Sequence, residues 1–210
     1  MFDSVVAVTV LQPCLVAPAV TSADPQSLTG ISRTDLGSGA WIDHLPGWLT
    51  DDVEVFDALC ERVPWRQGER VMYDRTVDVP RLTAWCTDPQ RLPHPTLVRA
   101  LRALNAHYGP ELFETAGLCW YRDGQDSVAW HGDRIRHRRQ ETVIAIVSLG
   151  AARPLLLRPR GGGPSRTFRL GHGDLFVMGG TCQTTWEHAV PKVRAAGPRI
   201  SVQFRRSGVD

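Results

Sequence analysis

The stretch YRDGQDSVAWHGD, Tyr121 to Asp133, ends in His131-Gly132-Asp133. On a strand, side chains alternate between faces, so His131 and Asp133 point to the same side. Two such groups can reach one metal ion together. A further histidine, His188, follows in TWEHAVPK. Two imidazoles and one carboxylate on one face of an ion leave other positions open, the pattern preferred by non-haem Fe(II). Beyond His188 comes RISVQFR, Arg199 to Arg205, an alternating strand with an arginine at each end. An arginine there suits bidentate pairing with a dicarboxylate. A single H-x-D arises by chance in many chains; the ordered set of His131, Asp133, His188 and Arg199 carries the argument.

The pattern widens into several blocks. They are PRLTAW at Pro80 to Trp85, VSLGAARPLLLR from Val147 to Arg158, LGHGDLFVMGG from Leu170 to Gly180, QTTWEHAVPK from Gln183 to Lys192, and PRISVQFR from Pro198. Together with the opening stretch they resemble the AlkB-like branch of the 2-oxoglutarate and Fe(II)-dependent dioxygenases, from about Trp41 to Arg205.

That resemblance implies an α+β, mainly β fold: a double-stranded β-helix, or jelly roll, under an N-terminal helix and hairpin layer. It implies Fe(II) on His131, Asp133 and His188, with 2-oxoglutarate as co-substrate and O2 as oxidant. Arg199 is expected to hold the 5-carboxylate of 2-oxoglutarate, with the Tyr121 hydroxyl beside it and Arg205 near the 1-carboxylate. Ser201 lies between the arginines on the same face, where family members often carry Asn. Cys119 stands where the family often has another Asn, and a thiol is a weak hydrogen-bond partner. Cys86 replaces a Tyr that commonly follows the PRLTAW block.

The activity so implied is oxidation of N-alkyl groups on nucleobases, such as N1-methyladenine and N3-methylcytosine, in DNA, with RNA second. Formaldehyde and succinate are the by-products. Protein substrates, or a non-catalytic nucleic-acid-binding jelly roll, are the other readings. A nucleobase must leave its stack to be oxidised, which calls for a stacking clamp and phosphate contacts. His131 is a candidate wall, opposite Tyr73, Trp65 or Trp85; core packing is the alternative for the two tryptophans. Arg81 is a candidate for phosphate contact or lid closure, with a structural salt bridge the alternative. Arg134 opens RIRHRR, where five of six residues can be cationic. Such a loop attracts a polyanion or is a solvated turn. Arg158 and Arg160 flank the Gly161–Gly163 turn and extend that patch.

Composition sets bounds on all this. A chain of 210 residues with 42% apolar and 22% charged residues fits one domain with a full core. A net charge of +2 is too small to imply nucleic-acid binding alone. Lys192 is the only lysine; coding bias toward arginine explains most of the others. Five scattered cysteines without a C-x-x-C point to reduced thiols in a cytoplasmic protein. Val5 to Val20 is apolar, but Asp3, Pro13 and Pro18 disqualify it as a signal or a membrane span. Residues 1–40 are expected as a loosely ordered leader and linker, and 41–210 as the dioxygenase domain, a monomer without membrane contact.

Periodicity places the elements. Asp51 to Val63 predicts a helix capped by Thr50, with Val53, Phe56, Leu59 and Cys60 facing inward. Pro95 to Tyr108 predicts a second helix, opened by Pro95, stopped by Gly109, and buried along Leu97, Val98, Leu101 and Leu104. Arg70 to Trp85, with Pro80 between, predicts a hairpin or two short strands. From Gly117 the period changes to strands near 118–122, 127–131, 142–148, 155–157, 167–170, 174–178, 187–190 and 199–205.

Overall fold

Strict alternation governs the last strand of the chain. In Arg199–Arg205, Ile200, Val202 and Phe204 are fully buried on one face. Arg199, Ser201, Gln203 and Arg205 face the other way. The apolar face meets helices; the polar face meets a cavity. This one strand therefore separates a core from a site.

The computed structural model describes residues 27–72, 75–133 and 141–209, and the side chains of 69–72 and 75–78 are not included. Twelve strands form two antiparallel sheets. In chain order they are β1 (Ser32–Gly37), β2 (Ala40–Leu45), β3 (Arg66–Met72), β4 (Arg75–Cys86), β5 (Thr115–Tyr121), β6 (Val128–His131), β7 (Ile144–Gly150), β8 (Arg153–Pro159), β9 (Arg166–Leu170), β10 (Asp174–Gly180), β11 (Trp186–Val190) and β12 (Arg199–Arg205). The larger sheet runs β1-β2-β10-β7-β12-β5-β4-β3 and the smaller β6-β11-β8-β9. Two facing antiparallel sheets with long crossovers make the jelly roll.

Helices α1 (Asp52–Arg62) and α2 (Pro95–Tyr108) cover the outer face of the larger sheet. Leu97, Ala100, Leu101 and Leu104 of α2 join Leu118, Val147, Val177 and Val202 in that layer. The bounds of α2 match expectation. Pro95 has no N–H to lose at the first turn, His94 Nδ1 accepts from the Thr96 amide, and Gly109 takes φ 144° past the end. A second cluster fills the space between the sheets, with Ile144, Ile146, Leu155, Leu157, Phe176 and Met178.

Several expectations need correction. The cap of α1 is Asp51, not Thr50, and its carboxylate takes the Thr96 hydroxyl instead of capping the helix. Val53 is 63% exposed, because the buried stripe of α1 is centred on Val55 and Leu59. Within residues 1–40, expected as leader and linker, Ser32–Gly37 is β1, paired with β2. That pair is anchored by a buried acid. Asp43 accepts from Arg33 Nε and Nη2, each at 2.7 Å, and from the Tyr108 hydroxyl at 2.7 Å. The hairpin β3–β4 forms but begins earlier than expected, at Arg66, and Pro80 lies within β4, where the register shifts and its missing N–H is no loss to the ladder. Cys60, Cys86, Cys119 and Cys182 are unpaired thiols. No helix among the described residues is long and apolar enough to cross a membrane.

Candidate active site

His131 ends β6 and His188 sits on β11, and the two are direct partners across that antiparallel pair. Cross-strand partners on one face touch, and the imidazole centroids are 4.2 Å apart. His131 Nδ1 lies 2.8 Å from the Ala129 carbonyl. A carbonyl only accepts, so Nδ1 carries a proton, and in the neutral ring the lone pair is on Nε2. Fixing a tautomer in this way is how proteins prepare a histidine to ligate. His188 is buried. Burial first, and the neighbouring His131 second, hold its pKa down to about 4, so it stands neutral at pH 7.

Asp133 lies on the cavity wall beside both histidines. Its Oδ1 accepts from Arg205 Nη1 at 2.9 Å. Among the described residues no three His, Cys, Asp or Glu side chains close into a metal-holding group as they stand. A carboxylate has two oxygens, and Asp133 can keep Arg205 on one and offer the other. The donor types fit Fe(II): two neutral-capable imidazoles and one carboxylate, in one cavity of about 250 Å³.

A short helix, α3 (Cys182–Thr185), positions Asp133 from behind. Gln183 Oε1 accepts from the Asp133 amide at 3.0 Å. Arg160 holds α3 in turn, donating to the Gln183 and Thr184 carbonyls at 3.0 and 2.9 Å. Gly132 is required at this crossing, since a Cβ there would stand 2.7 Å from the Gln183 carbonyl oxygen.

The far wall is cationic. Arg199 is 2% exposed and donates from Nε to Ser148 Oγ at 2.7 Å. Among the described residues its guanidinium pairs with no carboxylate. Burial pulls its pKa below the ordinary value, which is the cost of a buried cation without a close anion. A bound dicarboxylate relieves that cost. Tyr121 packs its ring 5.4 Å from the Arg199 guanidinium. Burial foremost, then Cys119, pushes the Tyr121 phenol up, so it remains an O–H donor. Ser201 and Cys119 are register partners between β12 and β5, and both line the cavity.

The remaining candidates divide. Trp85 is 47% exposed at the cavity, with Arg205 5.4 Å from its ring. Gly117 lies beneath both, where a Cβ would stand 3.1 Å from each. Arg81 lines the cavity and donates to the Ser127 carbonyl at 3.2 Å. Trp65 packs in the helix layer, 5.4 Å from Trp120, so it is core. Arg158 is spent on Glu187 at 2.5 Å and on the Trp130 ring at 4.0 Å. With Arg160 spent on carbonyls, neither extends a free basic patch. Tyr73 and Arg134 lie outside the described residues.

Sequence reading passed over Gln203, Ser148, Gln183 and Arg153. Gln203 carried a signal, being an even number of residues from both arginines of β12. Arg153 is 1% exposed and donates to the carbonyls of Asp123, Asp126 and Pro191, tying two loops beside Tyr121. Nothing local in the sequence marks that role.

Residues 24–205 match the model of the 2OG-Fe(II) oxygenase superfamily. Alpha-ketoglutarate-dependent dioxygenase alkB homolog 3 of Bos taurus is 36% identical, covering 85% of this chain and 68% of the relative. DNA oxidative demethylase ALKBH2 of Arabidopsis thaliana is 26% identical, covering 89% of this chain and 73% of the relative. The structure of OsALKBH1 superimposes with a TM-score of 0.57 at 15% identity, over 83% of this chain and 100% of the other, a likeness of fold.

Proposed function

Since the chain belongs to the 2OG-Fe(II) oxygenase superfamily, and so is a dioxygenase using Fe(II), 2-oxoglutarate and O2, we propose that it oxidatively demethylates N-alkylated nucleobases in DNA. The bases are of the N1-methyladenine and N3-methylcytosine kind. The observation that carries this reading is the half-exposed Trp85 at the mouth of the cavity that holds His131 and His188. An aromatic face there suits a base withdrawn from its stack. The printed names of two relatives, alkB homolog 3 and DNA oxidative demethylase, point the same way.

In this reading His131, Asp133 and His188 would hold Fe(II). Bound there with 2-oxoglutarate, the iron supplies oxidation of the N-methyl C–H bond by O2, with decarboxylation of 2-oxoglutarate to succinate. The chain does the rest. Arg199 and the Tyr121 hydroxyl hold the distal carboxylate, and Ser148 keeps the Arg199 fork in place. Arg205 keeps one oxygen of Asp133 occupied. Hydrophobic walls from Ile146, Leu155 and Val190 keep the depth of the cavity dry. Trp85 and Arg81 meet the substrate at the entrance. The hydroxymethyl product on the base nitrogen collapses to formaldehyde and the unmodified base.

The test is mass spectrometry on short DNA and RNA oligonucleotides, each with one methylated base, incubated with protein, Fe(II), 2-oxoglutarate and ascorbate. Loss of one methyl group from DNA, absent with His131→Ala, is expected. Faster loss from RNA reassigns the nucleic acid. Succinate formation with no methyl loss from either overturns the substrate.

A further inference from the structure

Gln203 lies on the cavity face of β12, four residues after Arg199 and two before Arg205. Among the described residues it is the only carboxamide that lines the cavity. One end of it faces Arg205, the other Ser201 and Cys119. A guanidinium can only donate, so the atom facing Arg205 is the oxygen. The nitrogen therefore faces Ser201 and Cys119, with Ser201 Oγ at 3.3 Å and Cys119 Sγ at 3.6 Å. A hydroxyl at that distance and a thiol are weak acceptors. Two N–H groups are thus held in a fixed direction, inside a cavity with cations at both ends, without a strong acceptor.

We propose that Gln203 is a co-substrate-binding residue, whose carboxamide N–H donates to a carboxylate oxygen of 2-oxoglutarate. The proposal rests on the co-substrate lying between Arg199 and Arg205. The arginines supply charge. Gln203 supplies a neutral, directed donor where Cys119 offers only a weakly donating thiol. The small size of Cys119 and Ser201 is what leaves room for the longer amide. Arg205 has a second part in this arrangement, since its bond to the Gln203 oxygen fixes which end of the amide faces the cavity.

The experiment is calorimetric titration of 2-oxoglutarate into the Mn(II)-loaded full chain. Wild type is compared with Gln203→Leu, Gln203→Met, Arg199→Ala and the double variant Cys119→Asn/Gln203→Leu. Gln203→Met preserves length and packing, and guards against a folding defect in Gln203→Leu. Both Gln203 variants are expected to weaken 2-oxoglutarate about tenfold, the typical cost of a lost hydrogen bond to a charged group. Their Mn(II) affinity should not change. Cys119→Asn returns an amide donor to the same spot and is expected to restore most of the affinity. Weakened binding without rescue assigns the loss to a displaced Arg205 and overturns the donor role. Unchanged binding in the Gln203 variants, with loss in Arg199→Ala, overturns Gln203 alone. Unchanged binding in Arg199→Ala overturns the placement of the co-substrate, and Gln203 with it.

Discussion

Arg205 Nη1 donates to Asp133 Oδ1 at 2.9 Å, and both side chains are almost wholly buried. The last strand of the large sheet thereby holds the carboxylate that the small sheet presents to the cavity. Each partner compensates the other for leaving water.

Breaking that pair leaves Asp133 buried and uncompensated. Arg205→Ala is expected to destabilise the metal-free protein by about 3 kcal/mol, in the range for a buried pair losing one partner. A divalent cation on the same carboxylate restores the missing positive charge. The deficit should therefore shrink when Mn(II) is added. Urea unfolding with and without Mn(II) measures both quantities. An equal deficit in the two conditions would separate Asp133 from the metal.

Ser148 and Arg199 offer a graded test of the co-substrate site. Arg199→Ala removes the buried guanidinium and is expected to raise the apparent KM for 2-oxoglutarate by ~100-fold, as for a buried charge pair that loses a partner. Ser148→Ala removes only the hydroxyl that holds Nε at 2.7 Å. It should raise KM by a few-fold, ~1 kcal/mol, with kcat nearly unchanged. Steady-state succinate formation across 2-oxoglutarate concentrations reads both. A fall in kcat alone for Arg199→Ala would place the co-substrate elsewhere.

Much of this site was legible because it is built on short-range rules. Alternation puts Arg199, Ser201 and Arg205 on one face of β12, and the same rule puts Gln203 there, although an uncharged amide carries no signal of its own. Pro95 and Gly109 marked the ends of α2 by backbone chemistry alone. The failures share a different cause. β2 pairs with β10, far along the chain, and β1 depends on β2 in turn. No local pattern announces such partners. Arg158 and Arg160 read as free cations, since Glu187, Trp130 and the carbonyls of α3 are brought to them only by the fold. The types and order of His131, Asp133 and His188 stand in the sequence, whereas the ion pair of Asp133 with Arg205 depends on packing.

Asp126 predicts a pH dependence of stability. It is 5% exposed and accepts from the Arg122 amide, Nε and Nη2 at 2.9, 2.7 and 2.9 Å. Burial works to raise its pKa, but the Arg122 hydrogen bonds and charge, with Arg153 behind them, outweigh that and lower it. A lowered folded-state pKa means stabilisation that is full above the unfolded value of about 3.9, and is lost as pH falls through the folded value. Asp126→Asn is therefore expected to cost about 1 kcal/mol at pH 7 and less as the pH drops below 4. Thermal unfolding across that window, for both proteins, gives the comparison. Parallel curves would deny Asp126 its part in the acid limb.

Trp85 separates substrate capture from the oxidising machinery. Its ring is half exposed at the cavity and rests against Arg205 with Gly117 beneath it. Stacking of one base on one aromatic ring contributes about 1–3 kcal/mol. Trp85→Ala should then weaken binding of a methylated single-stranded oligonucleotide by about tenfold or more. The 2-oxoglutarate affinity measured without oligonucleotide should stay within about twofold, because Arg199, Tyr121 and Ser148 are untouched. Trp85→Phe keeps an aromatic face and is expected to recover most of the oligonucleotide affinity. Fluorescence anisotropy with a labelled oligonucleotide, alongside calorimetry for 2-oxoglutarate, reads the two effects independently. Equal oligonucleotide affinity in Trp85→Ala and wild type would move the stacking wall away from Trp85. Equal losses of both ligands would instead mean that Trp85 supports Arg205 from the outside.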